Sequence, residues 1–166
     1  MIPDIKKILY TTDLSETSNF AFSHAVGLAN HYDAEITILH VIKDVMPTSE
    51  NLVTNVLGAD KWKELVDRSK TDIIEKIRQR LENFCEEIKS SLPACPFMVK
   101  QILVQIGNPA EEIMLEVDKN DYDLVVMGAH GHGAIADAML GSVSRRIIRR
   151  CSKPVLVVRL PKPTGA

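Results

Sequence analysis

The stretch Leu124-Val125-Val126-Met127-Gly128-Ala129-His130-Gly131, closed further on by Gly141-Ser142, decides the reading of this chain. Leu124 to Met127 has the composition of a buried strand. Glycines directly after such a strand can take positive φ and let main-chain N–H groups approach an anion closely. Ser142, with Ser144 two residues on, opens a helical stretch whose unsatisfied N–H groups and positive dipole end favour negative charge. A phosphate site just beyond a buried strand is therefore the first expectation. The competing reading is a tight turn with close helix packing and no ligand, since serine also caps helices.

Working outward, strands and helices alternate. Lys6 to Thr12 is an apolar strand, and Ser15 caps a helix running to about Asn30. Glu35 to Ile42 is β-branched and apolar, the pattern of a strand covered on both faces. A loop from Lys43 to Gly58 follows; its apolar residues favour packing, either as a lid over a ligand or against a partner. Trp62 to about Ser90 carries one long helical stripe that ends before Leu92-Pro93. Val99 to Ile106 is a third strand, and Asn108-Pro109 starts a helix to about Asn120. After the glycine motif, Gly141 to Cys151 supplies a last helix and Pro154 to Arg159 a fifth strand.

This order predicts an α/β fold: an open, doubly wound, five-stranded parallel sheet with helices on both faces. Ligands in such sheets bind at the carboxyl ends of strands, where strand order reverses. Three segments should then converge: Thr11, Thr12 and Asp13; Val41 and Ile42; and Met127 to Gly133.

With 166 residues the chain fits one domain, taken as 1–160, with a frayed tail at 161–166. A net charge of -2 exerts no global pull toward nucleic acid or anionic membrane, so the partner must be read locally. No apolar stretch approaches the ~20 residues that span a bilayer. Met1 to Lys7 lacks the apolar core of a signal peptide, which leads to a cytoplasmic expectation. Cys85, Cys95 and Cys151 show no C-x-x-C spacing and read as plain thiols.

The residues resemble the universal stress protein family, specifically its nucleotide-binding branch. Gly128, Gly131, Gly141 and Ser142 meet a G-x2-G-x9-G-[ST] motif; Thr12-Asp13-Leu14-Ser15, Leu39-His40-Val41 and Lys153 to Val158 match the ends of its first, second and last strands. The resemblance implies an adenine nucleotide alpha hydrolase-like fold with sheet order 3-2-1-4-5, and a homodimer paired through Val155 to Val158. It also implies ATP, AMP or ADP in the crevice, with Mg2+ held through the phosphates. On this basis Thr12 and Asp13 face the ribose or adenine, Val41 reads the adenine edge with its backbone, and Met127 and Gly128 lie against the nucleoside. His130, Gly131, Gly141, Ser142, Val143 and Ser144 surround the phosphates. Thr11 departs from the family pattern, where many relatives have proline.

Other readings fit less well. There is no Gly-Lys-Ser/Thr for a P-loop and no G-x-G-x-x-G at the first strand for a dinucleotide fold. A receiver domain needs paired acidic residues after its first strand, where Asp13 stands alone. Asp13 also suits a turn or helix start, and local sequence leaves both roles open. His130-Gly131-His132 is only a fragment of a zinc site, and His40 reads as a hydrogen-bonded core or edge residue. Arg145, Arg146, Arg149 and Arg150 are better explained as a solvated face on a helix C-terminus than as a nucleic-acid patch. Phosphoryl transfer needs a positioned nucleophile and base, and no residue beyond Asp13 is assignable as one. The expectation is a nucleotide-dependent regulator or sensor with at most slow ATP hydrolysis; the alternative is a dimeric interaction module that needs no nucleotide.

Overall fold

Among the described residues nine elements follow from the local signals. In this computed structural model, residues 2–44, 58–131 and 139–162 are described. They form β1 (Lys7–Thr12), α1 (Glu16–Tyr32), β2 (Glu35–Lys43), α2 (Ala59–Ser91), β3 (Met98–Gly107), α3 (Pro109–Lys119), β4 (Leu124–Gly128), α4 (Ser142–Arg150) and β5 (Val155–Val158). The greater part of the proposed lid, together with His132, Gly133 and the end of the tail, lies outside the described residues.

The strands make one parallel sheet in the order β3-β2-β1-β4-β5. Alternation along the strands sends side chains to two separate cores. Ile8, Tyr10, Ile36, Ile38 and Val126 pack with Phe22 of α1 and Leu81 of α2. Leu9, Leu39, Val41, Val125 and Met127 pack with Ile113 of α3 and Ile147 of α4. Both faces are therefore covered, which is why the central strands are apolar at successive positions. The chain leaves β1 toward one face and β4 toward the other, and their carboxyl ends part to leave a crevice.

Helix boundaries follow their caps. Ser15 accepts from the Ser18 N–H at 3.2 Å and starts α1 as expected. This helix runs past Asn30 because Asp33 adopts a left-handed conformation, φ 53°, where the turn closes with Ala34 N–H donating to Ala29 O at 2.9 Å. Gly58, at φ 84°, starts α2 ahead of Trp62. Asn108 caps α3, accepting from Glu111 N–H at 3.2 Å, with proline at the helix start. At the opposite end of the sheet from the crevice, Asp123 accepts from the Lys6 and Lys7 N–H groups at 2.8 and 2.9 Å.

Candidate functional site

The floor of the crevice is the turn after β1. Thr12 Oγ1 accepts from Leu14 N–H at 3.0 Å, and Leu14 takes a positive φ of 67°. Asp13 Oδ1 accepts from Ser15 N–H at 3.0 Å and from Ser18 Oγ at 2.6 Å. The aspartate thus braces the turn and the first turn of α1, and it also lines the crevice.

The glycine motif closes over this turn. A Cβ on Gly128 would lie 3.1 Å from Thr17 Cγ2 and 3.2 Å from Ser18 N; one on Gly131 would lie 2.9 Å from Asp13 Cγ; one on Gly141 would lie 3.2 Å from His130 Cα. The expectation of positive φ at these glycines is corrected: among the described residues only Gly58 is a glycine in that region. Space, rather than backbone handedness, demands glycine here. Gly141 N–H donates to Ala129 O at 2.8 Å and Ser144 Oγ donates to Gly128 O at 2.8 Å, so α4 is tied back onto the end of β4. That bond commits the Ser144 hydroxyl to the protein. Gly141 gives α4 no side-chain cap, and no acidic residue occupies its first turn. The N–H groups at this helix start therefore point their partial positive charge at the crevice uncompensated.

The resulting cleft encloses about 580 Å³. Thr12, Asp13, Val41, Met127, Gly128, His130, Gly131, Gly141, Ser142, Val143 and Ser144, drawn from three distant parts of the chain, all line it. One wall is apolar, built from Leu39, Val41, Pro109, Ile113, Met127 and Val143. The other carries Thr12, Asp13, Ser18 and His40, with Ile42 and Ile77 beyond. Among the described lining residues Lys43 alone bears a permanent positive charge. No group of three His, Cys, Asp or Glu among the described residues could hold a metal by itself.

A family model described as "Universal stress protein family" matches residues 4–159. The chain belongs to the universal stress protein family. Universal stress protein MJ0577 of Methanocaldococcus jannaschii is 34% identical over 93% of this chain and 94% of that protein. Its solved structure matches with a TM-score of 0.73 at 31% identity, covering 97% of this chain and 100% of that one. Two further structures share the fold: a universal stress protein in complex with cAMP, 20% identical with a TM-score of 0.58, over 95% of this chain and 98% of that one; and a family protein from Arabidopsis thaliana with AMP bound, 16% identical with a TM-score of 0.52, over 96% of each chain.

Several lining residues of this universal stress protein escaped the sequence reading. Ile77 and Ile113 sit on amphipathic helices, and periodicity cannot tell a core-facing residue from one at a cleft wall. Ser18 carried a usable signal, lying three residues after the cap Ser15, where its hydroxyl meets both Ser15 Oγ and Asp13. His40 was read as core or edge; it is buried, bonds the Thr12 carbonyl and lines the cleft as well. Cys151, near the end of α4, and Cys95 are both partly covered and neither lines the cleft, while Cys85 is buried.

Proposed function

We propose that this universal stress protein binds an adenine nucleotide, ATP in its fullest form, at the carboxyl ends of β1, β2 and β4, and that occupancy governs its interactions in a stress response. The observation that carries the reading is the uncapped start of α4, facing a cradle where a Cβ on Gly131 would collide with Asp13 and one on Gly141 would press on His130. This is a surface shaped for phosphate oxygens. Val41, Ile113 and Met127 give the same cleft an apolar wall on which a base can lie, with the backbone of Val41 as its hydrogen-bonding edge. Related folds that hold cAMP and AMP support an adenine ligand.

Within this reading Ser142, Val143 and Ser144 donate main-chain N–H groups to phosphate oxygens, and Asp13 stands on the sugar side. Mg2+, held through the phosphates, would supply the charge neutralisation that the cleft's single lysine does not. Among the described residues Asp13 is the one candidate base and it is engaged in bracing the turn, which favours holding the nucleotide over turning it over. We extend the reading to a homodimer through β5. Pro154 O accepts from the N–H of Val125 in β4, and Val158 O from that of Ala129, just beyond its end. In a parallel ladder the alternate residues Val155 and Val157 then direct their N–H and C=O groups to the open edge, where a second copy can pair.

The test is mass spectrometry of nucleotide released on denaturing the purified protein, followed by calorimetric titration of the emptied protein with ATP and Mg2+. Recovered adenine nucleotide, or micromolar binding of about −8 kcal/mol, is expected. An empty protein that ignores ATP refutes the proposal.

A further inference from the structure

His40 stands at the carboxyl end of β2, 8% exposed, and lines the cleft. Sheet register sets it opposite Thr12, and its Nδ1 lies 2.7 Å from the Thr12 carbonyl oxygen. A carbonyl can only accept, so Nδ1 carries the proton in that bond. Burial holds the imidazole below its ordinary pKa, outweighing the upward pull of the Thr12 carbonyl and of Asp13, while Arg80 of α2 adds to the lowering. The ring is therefore neutral at pH 7, and Nε2 is left as a lone-pair acceptor. Nε2 has no hydrogen-bond partner among the described residues, whose only sealed and unpartnered side-chain polar atom is Gln105 Oε1. Nε2 is therefore not sealed off, and His40 is one of the residues that line the cleft.

Strand alternation decides what this acceptor can meet. Val41 directs its side chain to the apolar wall with Leu39, Ile113 and Met127, where a base fits. His40 falls on the other side, beside Thr12, Asp13 and Ser18, among hydroxyl and carboxyl groups suited to a sugar. We propose that His40 selects the sugar of the bound nucleotide, its Nε2 accepting a hydrogen bond from a ribose hydroxyl. The inference rests on the adenine-nucleotide reading of the cleft and goes beyond it. It makes His40 a specificity residue, because a buried acceptor left unpaired by a deoxy-sugar penalises that ligand.

The experiment compares calorimetric affinities for ATP, 2′-deoxy-ATP and 3′-deoxy-ATP, each with Mg2+, in the native protein and in His40→Asn. Asparagine can keep a donor to the Thr12 carbonyl but offers nothing at the Nε2 position. The native protein is expected to bind at least one deoxy analogue about tenfold more weakly than ATP, and His40→Asn to bind all three alike. His40→Gln, whose longer amide carries an acceptor toward the Nε2 position, is expected to retain part of the discrimination. Equal affinity of the native protein for all three overturns the inference while leaving the nucleotide reading intact. So does an undiminished preference in His40→Asn. If His40→Asn instead alters the preference for ATP over inosine triphosphate, His40 reads the base and the sugar assignment falls. A native protein that binds none of these ligands removes both proposals. The preference is a ratio within one protein, and its native value does not depend on whether a variant folds.

Discussion

Replacing Ser142 with glutamate should move stability and nucleotide binding in opposite directions. Ser142 is the first residue of α4 and is exposed, on a helix start with no side-chain cap and no acidic residue in its first turn. A carboxylate there meets the positive end of the helix dipole, a gain of about 0.5 kcal/mol. For a chain of this size that raises the melting temperature by about 1–2 °C. The same carboxylate would stand roughly 5 Å from a bound phosphate, and at an effective dielectric of about 20 two like charges at that separation repel by about 3 kcal/mol. Affinity for ATP should fall on the order of a hundredfold, read by calorimetric titration. Because the position is exposed, added salt should recover part of the loss. Ser142→Gln, similar in size and neutral, should bind nearly as the native protein does. Undiminished ATP binding by the Glu variant would refute the phosphate assignment at α4. An equal loss in the Gln variant would refute the electrostatic argument in favour of crowding.

Three further outcomes are expected. Phe22 is fully buried, with ring centroids 4.9, 5.3 and 5.7 Å from Tyr10, Phe84 and Phe97, so Phe22→Ala should destabilise by about 3–5 kcal/mol in urea unfolding. Val157→Pro removes an N–H that β4 does not use, so analytical ultracentrifugation should show loss of the β5 dimer while ATP still binds; a persisting dimer would place the interface elsewhere. Burial pushes the Cys85 thiol up from 9.0 to about 11. The unfolded thiol then loses its proton first, so stability should fall as pH rises from about 9 to 11, and Cys85→Ala should flatten that limb of a pH-dependent urea series.

Asp13 is already engaged at Oδ1 by Ser15 N–H and by the Ser18 hydroxyl, contacts that hold it against the turn. A carboxylate braced in this way positions the loop.

Much of this protein was legible in its sequence because the signals act over a few residues. Ser15, Asn108 and Pro109 begin helices through hydrogen bonds to the next turn, and β-branched apolar runs such as Glu35 to Ile42 read as covered strands. The glycine motif marked one site because its members share one loop and one helix start. Tertiary structure alone decided the rest. Gly131 must lack a side chain because Asp13, far away in sequence, stands against it. The Ser144 hydroxyl is committed to Gly128 O, and Ile77, Ile113 and His40 become cleft walls. A stripe on a helix or an alternation along a strand says that a residue faces inward. Whether inward means core or cleft depends on where the strands end and the helices cross them, and that is set only when distant segments pack together.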